Sequence, residues 1–187
     1  YNNLGTALAR LGRRKEAMKA YQSALETDPE RLDSLSNWAE ALIEEGDFEG
    51  AKEKFEQILK LNPKSRTAFV GLASLAEKRG DFNEVAEQMR RALEFYPNDT
   101  DLINRLGAAH SGRNEHKAAA KMFRRALKIN PKFTLARYNL AVTLKALGQR
   151  EEAKREYLAI IKANPKHYWA HNDLGVLLGD EGDKEGE

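Results

Sequence analysis

Residues 134–167 read TLARYNLAVTLKALGQREEAKREYLAIIKANPKH, and this 34-residue pattern recurs along the whole chain. The clearest mark of the pattern is proline. All five prolines of the chain share one register and are spaced 34 residues apart: Pro29, Pro63, Pro97, Pro131 and Pro165. A fixed period of roughly 20 to 50 residues is typical of folds that stack one supersecondary unit. We therefore number each repeat so that its proline is position 32.

Two further positions of the repeat carry a constant type of side chain. Position 8 is always small, as expected where two helices cross closely: Gly5, Ala39, Ala73, Gly107, Ala141 and Gly175. Position 24 carries a large apolar side chain: Tyr21, Phe55, Met89, Phe123 and Tyr157. Within each repeat the apolar positions recur at spacings of three, four and seven residues. This spacing predicts two amphipathic helices and no strand.

The turn between the two helices is predicted at position 15. Glycine occupies it in five repeats: Gly12, Gly46, Gly80, Gly148 and Gly182. The end of a helix favours a residue that adopts a left-handed backbone at little cost, and glycine does so most readily. Asn114 takes this place in the fourth repeat, and asparagine is the next most tolerant residue. Proline at position 32 then ends the second helix, since it disfavours helical geometry in the residue before it.

The pattern resembles the tetratricopeptide repeat at five positions: a small residue at position 8, glycine at 15, alanine at 20, an aromatic at 24 and proline at 32. The consensus-like form is similar to the superhelical repeats of O-linked N-acetylglucosamine transferases and bacterial scaffold proteins. The resemblance implies an all-α, right-handed superhelical solenoid of antiparallel helix hairpins with about five and a half 34-residue repeats. A single solenoid is expected over residues 1–187, divided at 1–31, 32–65, 66–99, 100–133, 134–167 and a partial repeat at 168–187.

Composition excludes several classes of function. The 31 basic residues nearly balance the 29 acidic ones, so the broad positive charge that drives binding to nucleic acid is missing. No apolar stretch is long enough for a membrane span in this segment. The chain has no cysteine, which excludes disulfides and thiolate chemistry in this sequence but fits any redox compartment. The localisation is therefore unknown from the sequence.

The resemblance also implies a binding surface. In the family the first helix of each repeat lines a concave groove, with positions 2, 5, 6, 9, 12 and 13 facing it. Position 6 reads Asn3, Asn37, Gly71, Arg105, Asn139 and Asp173. Asparagine suits recognition of an extended peptide, because its amide both donates and accepts hydrogen bonds. The asparagine track is interrupted in the middle repeats, so a continuous track is not predicted.

The C-terminal part of the groove is predicted to be the main contact. It combines aromatic, aliphatic and amide side chains: Leu135, Tyr138, Asn139, Val142, Trp169, Asn172 and Val176. Exposed Trp and Tyr are frequent interface anchors, because they bury a large area at a small entropic cost. Alternatively, Trp169 packs against a neighbouring helix. The predicted partner-binding residues of the whole chain are Asn3, Asn37, Arg105, Tyr138, Asn139, Trp169 and Asn172.

The N-terminal part of the groove is polar and of mixed charge. Its side chains are Arg10, Asp33, Asn37, Glu40 and Glu44. A basic side chain of a ligand could pair there, and the alternative is a solvated charged face. The family's carboxylate clamp is not present, because the positions that would need cations and amides hold Ser36, Glu40, Gly71 and Asp101. We therefore expect no preference for C-terminal carboxylates.

Catalytic chemistry is not indicated. His167 and His171 have the four-residue spacing of a metal pair on one helix face, but no third ligand is evident and His171 falls at a packing position. No phosphate-binding loop or nucleophile motif is present. The sequence predicts no catalytic residue, no metal and no cofactor, and the protein is not expected to be an enzyme.

The leading interpretation is a protein–protein interaction scaffold that binds a peptide or a partner protein in the groove. One alternative is a substrate-recruiting arm of a larger enzyme such as a glycosyltransferase. Another is a structural subunit of a multiprotein assembly. The apolar Leu174, Leu177 and Leu178 near the end of the chain leave open a larger assembly or self-association through that end, because terminal repeats normally need a polar cap.

Overall fold

The computed structural model describes residues 1–182, which form eleven α-helices and no strand. In chain order the helices are α1 Asn2–Arg10, α2 Arg14–Thr27, α3 Leu32–Glu45, α4 Phe48–Leu61, α5 Arg66–Lys78, α6 Phe82–Phe95, α7 Thr100–Gly112, α8 His116–Ile129, α9 Thr134–Ala146, α10 Arg150–Ala163 and α11 Tyr168–Gly182. Short turns pair them into antiparallel hairpins. The predicted all-α repeat solenoid is confirmed.

The turns inside the hairpins have the predicted left-handed backbone. The φ angles are 73° at Gly12, 85° at Gly46, 71° at Gly80 and 74° at Gly148. Asn114 reaches a φ of 59° at the same position, and the amide of Glu115 closes the turn on the carbonyl of His110 at 2.9 Å. Asparagine therefore substitutes for glycine here without a change in the turn. The fifth glycine, Gly182, is the last residue of α11, and residues 183–187 of the predicted partial repeat lie outside the described part.

The first compact unit comprises residues 1–95. Its largest core cluster is built from buried residues of α3, α4 and α5: Leu35, Ala39, Leu42, Ala51, Phe55, Ile58, Ala68, Leu72 and Leu75. Two glycines make room for the aromatic rings of position 24. A Cβ on Gly5 would lie 2.5 Å from Cε1 of Tyr21, and a Cβ on Gly71 would lie 2.3 Å from Cζ of Phe55. The small residue at Gly5 is thus required by packing, as the sequence predicted.

The second compact unit begins at Tyr96. Its core runs from α8 to α11 and contains Ala119, Ala120, Phe123, Leu140, Ala141, Leu144, Ala153, Tyr157, Ile160, Ala170, Leu174 and Leu177. Gly107 accommodates Phe123 as Gly5 accommodates Tyr21, with a hypothetical Cβ 2.6 Å from Cε1 of the ring. Gly175 has no such neighbour within 4 Å. None of the helices in the described part of the chain combines the length and apolar composition that a bilayer crossing requires.

Candidate functional site

Two stripes of exposed side chains lie on α9 and α11 of the second unit. On α9, Leu135 is 52% exposed and Val142 is 41% exposed. On α11, Trp169 is 62% exposed and Val176 is 46% exposed. Each pair is seven residues apart, which places its members on one face of the helix. We call Leu135, Tyr138, Asn139, Val142, Trp169, Asn172 and Val176 the α9/α11 surface.

A hydrogen bond joins the middle of the two stripes. The hydroxyl of Tyr138 on α9 donates to Oδ2 of Asp173 on α11 at 2.6 Å. The Tyr138 ring is half-buried and packs against Tyr157, at 6.2 Å between centroids, and against His167, at 5.8 Å. Partial burial and the bond to Asp173 together raise the pKa of Tyr138 to about 12. The bond therefore holds the two stripes side by side, and Tyr138 is less available as an anchor than Trp169.

Tyr157 lies directly beneath this bond. Its ring is fully buried, and its hydroxyl has no hydrogen-bond partner among the described residues. Burial raises the pKa of Tyr157 above its ordinary value, with a smaller contribution from the charge of Asp173. Tyr157 is therefore part of the core of the second unit and not of the α9/α11 surface.

The asparagines of position 6 are engaged within the fold. Nδ2 of Asn139 donates to Oδ1 of Asn104 on α7 at 3.0 Å. In the first unit, Nδ2 of Asn37 donates to Oδ1 of Asn2 at 3.2 Å and to Oγ1 of Thr6 at 3.3 Å. Both asparagines thus bind position 5 of the preceding repeat, 35 residues earlier. The Tyr138–Asp173 bond spans the same positions. These side chains therefore link neighbouring repeats as well as facing the predicted groove.

The other predicted contact residues are distributed over both units. Asn3 is exposed on α1 of the first unit. Arg105 on α7 is half-buried and forms an ion pair with Asp101 at 3.7 Å. Asn172 is exposed and donates to Oδ1 of Asp173 at 3.3 Å. Of the predicted set, the second unit brings Tyr138, Asn139, Trp169 and Asn172 onto the two neighbouring helices. Trp169 does not pack into the core, and its ring lies edge-on to Tyr168 at 5.3 Å.

The first unit contains a separate pocket of about 370 Å³. Residues of α1, α2 and α3 line it: Thr6, Ala9, Arg10, Tyr21, Asn37, Glu40, Ala41 and Glu44. Four of them had been expected in the polar part of the groove, and Tyr21 had been expected only in the core. The charged rim is partly neutralised, since Oε2 of Glu44 pairs with Nε of Arg14 at 2.8 Å.

The two histidines with metal-like spacing have other roles. Nδ1 of His167 accepts the backbone amide of Ala170 at 3.1 Å and so caps the start of α11. His171 is exposed, contrary to the packing role expected from the repeat, and its Nε2 lies 2.9 Å from the carbonyl oxygen of Pro165. Among the side chains of residues 1–179, no three from His, Asp or Glu are grouped as metal ligands.

Three hydrogen-bond partners of groove side chains were not predicted from the sequence: Asn2, Asn104 and Asp173. Each is the partner of a groove side chain 35 residues away. Polar residues paired between position 5 of one repeat and position 6 of the next were visible in the register. The repeat alignment therefore gives the candidate residue pairs, whereas the bonds themselves depend on how adjacent helices are rotated.

Comparisons with known proteins agree with this architecture. Family models described as tetratricopeptide repeat match residues 1–31, 42–109 and 112–172. None of the curated protein sequences compared with the chain is significantly similar to it.

Solved structures resemble the chain over most of its length at low sequence identity. YrrB, described as a TPR protein with an unusual peptide-binding site, is 22% identical with a TM-score of 0.74, over 92% of this chain and 89% of its own. A crystal structure of MamA is 21% identical with a TM-score of 0.78, covering 89% and 97%. A second MamA structure, from Desulfovibrio magneticus RS-1, is 17% identical with a TM-score of 0.78, covering 89% and 94%.

Proposed function

The chain belongs to the tetratricopeptide repeat family, and we propose on that premise that it is a protein-interaction scaffold whose α9/α11 surface binds a partner protein or extended peptide. The repeat architecture supports the scaffold role, because it offers extended surfaces to a partner. The likeness to YrrB supports a peptide as one form of partner.

The observation that carries the proposal is the exposure of large apolar side chains on two adjacent helices. Trp169 and Leu135 lie in the first turns of α11 and α9, and Val176 and Val142 lie one heptad further along; all four are exposed. Contiguous apolar surface on a soluble protein marks contact sites more often than chance, and tryptophan is the most frequent anchor. The partner should therefore present apolar side chains to this surface.

Polar groups beside the apolar stripes would orient that partner. The amide of Asn139 uses one hydrogen of Nδ2 in its bond to Asn104, which leaves the second for a ligand. Asn172 is exposed between Trp169 and Val176. Two amides flanked by apolar contacts suit a peptide whose backbone groups need partners while its side chains are buried.

A partner-recovery experiment tests the proposal. The tagged wild-type chain is compared with a variant that carries Asn139→Ala and Trp169→Ala, and with Leu158→Ala as a control. Leu158 is an exposed apolar residue on α10, outside the α9/α11 surface. We expect the double variant to lose the recovered partners by about tenfold or more, in line with the loss of an interface anchor, and the control to retain them. Equal recovery by a folded double variant would reject the proposed surface.

A further inference from the structure

Apart from the guanidinium of Arg10, the polar groups of the pocket in the first unit are mainly hydrogen-bond acceptors. Both donor hydrogens of Asn37 are used, by Oδ1 of Asn2 and Oγ1 of Thr6, so Asn37 offers its carbonyl oxygen. The hydroxyl of Thr6 donates to the carbonyl oxygen of Asn2 at 3.2 Å. The polar wall made by Asn37 and Thr6 therefore has no donor left for a ligand.

The floor of the pocket contains a second unmatched polar group. Tyr21 reaches the pocket from α2 and is only 2% exposed. Its hydroxyl makes no hydrogen bond with any residue of the described part, yet it is not sealed from solvent as the hydroxyl of Tyr157 is. Because this hydroxyl is poorly exposed and lacks a hydrogen-bond partner, a ligand group that reaches it can form a specific hydrogen bond.

One carboxylate of the pocket is available to pair with a cation. Glu40 is exposed at the rim and forms no ion pair in the described residues, while Glu44 is already paired with Arg14. Arg10 is the single basic side chain among the lining residues. An incoming cation can pair with Glu40 and an incoming anion with Arg10. The acceptor oxygen of Asn37 in the same pocket favours a ligand group that carries hydrogen-bond donors.

We propose that this pocket binds the guanidinium of an arginine side chain presented by the partner. Guanidinium carries five N–H donors in a planar fork and no acceptor, which matches a site of several acceptors around one carboxylate. Ala9 and Ala41 line the pocket beside these groups and provide apolar contact for the methylene stem. The inference rests on the proposed scaffold function and adds one recognised side chain to it.

Binding of a small probe tests this inference without the partner. The ¹⁵N-labelled chain is titrated with Nα-acetyl-arginine N-methylamide, and the amide signals of Ala9 and Ala41 and the side-chain amide of Asn37 are followed. We expect saturable shifts at these three groups. Glu40→Gln should weaken the affinity by roughly three- to tenfold, the effect of removing a charge from a hydrogen-bonded ion pair at a surface. Glu53→Gln, an equal charge change at an exposed position of α4, should leave the affinity unchanged.

Two further comparisons make the test specific. Tyr21→Phe keeps the ring in the core and should weaken probe binding by about two- to fivefold through loss of one hydrogen bond. The norleucine and lysine analogues of the probe should bind more weakly than the arginine compound.

Several results would overturn the arginine site. They are the absence of saturable shifts, an affinity unaffected by Glu40→Gln, or equal binding of the norleucine or lysine analogue. The Asn139→Ala and Trp169→Ala variant should bind the probe normally, so failure of this site and failure of the α9/α11 surface can be told apart.

Discussion

At the scale of single residues, this fold requires glycine where the aromatic ring of a neighbouring residue occupies the space that a Cβ would take. Gly71 shows this most clearly, because Phe55 occupies the space that its Cβ would take. The sequence predicted small residues at position 8 from their recurrence. It did not predict that Gly71, at position 6, is there for packing, because the direction of the Phe55 ring depends on the rotation of α4 against α5.

Replacement of Gly71 by alanine should therefore destabilise the protein. We expect Gly71→Ala to lower the free energy of unfolding by about 1 to 3 kcal/mol, since the fully buried Phe55 ring cannot move without cost. The measurement is equilibrium denaturation in urea.

Gly175→Ala is the matched control, because a Cβ at Gly175 meets no atom within 4 Å. It should raise the free energy of unfolding by about 0.5 to 1 kcal/mol through the higher helix propensity of alanine. A Gly71→Ala protein as stable as the wild type would contradict the packing described here.

The partial burial of Tyr138, together with its bond to Asp173, makes the free energy of unfolding depend on alkaline pH. An unfolded tyrosine ionises near pH 10, whereas the folded protein holds the pKa of Tyr138 at about 12. As the pH rises from about 10 to 12, Tyr138 ionises in the unfolded chain before it ionises in the folded protein. The free energy of unfolding should therefore fall. Below pH 10 this contribution should be fully present.

The ionisation can be followed by tyrosinate absorbance near 295 nm. One tyrosine of the folded wild type should titrate near pH 12, and Tyr138→Phe should remove that component. If Tyr138→Phe left the titration above pH 10 unchanged, the assignment of this pKa to Tyr138 would be wrong.

At the scale of helices and turns, the repeat register determines where each element begins. The first helices α3, α5, α7, α9 and α11 all start at position 1 of their repeats. These bounds could be predicted because glycine and proline fix both ends of each hairpin. The bonds between positions 5 and 6 of neighbouring repeats could not, because they depend on how far adjacent helices rotate about their axes.

The turn at Asn114 provides a test at this scale. Because Asn114 has a φ of 59°, alanine at this position would adopt a strained left-handed backbone. Asn114→Ala should lower the free energy of unfolding by about 1 kcal/mol, and Asn114→Gly should not lower it.

Thermal and urea unfolding of both variants are the measurements, with Asn83→Ala as the control for loss of an exposed amide on a helix. A protein in which alanine at position 114 unfolds like the wild type would show that this turn carries no backbone strain.

At the scale of the whole molecule, the fold was predictable from the sequence, and the exposure of the proposed binding residues was only partly so. The 34-residue register identified the helix hairpins throughout the described chain, because it reports the same packing in every repeat. The register does not determine how far each side chain of the predicted groove is exposed. Tyr138 and Trp169 were predicted together as anchors, yet Tyr138 is half-buried and hydrogen-bonded while Trp169 is exposed.

The near balance of 31 basic and 29 acidic residues also limits how a partner is recognised. Long-range electrostatic steering by net charge is weak in such a chain, so specificity must depend on local contacts. Among the described residues, the α9/α11 surface supplies apolar contacts and the pocket of the first unit supplies acceptors. We propose each as an independent contact with a partner, and each can be removed by substitution.

Site-specific photocrosslinking tests the central claim most directly. Benzoylphenylalanine is placed singly at position 142 on α9, at position 176 on α11, or at position 158 on α10, and each protein is irradiated with the partner recovered by the wild-type chain. We predict crosslinks from positions 142 and 176 and none from 158, because Val142 and Val176 belong to the α9/α11 surface and Leu158 does not. Crosslinks from position 158 alone, with the fold intact, would contradict the claim that the partner binds this surface.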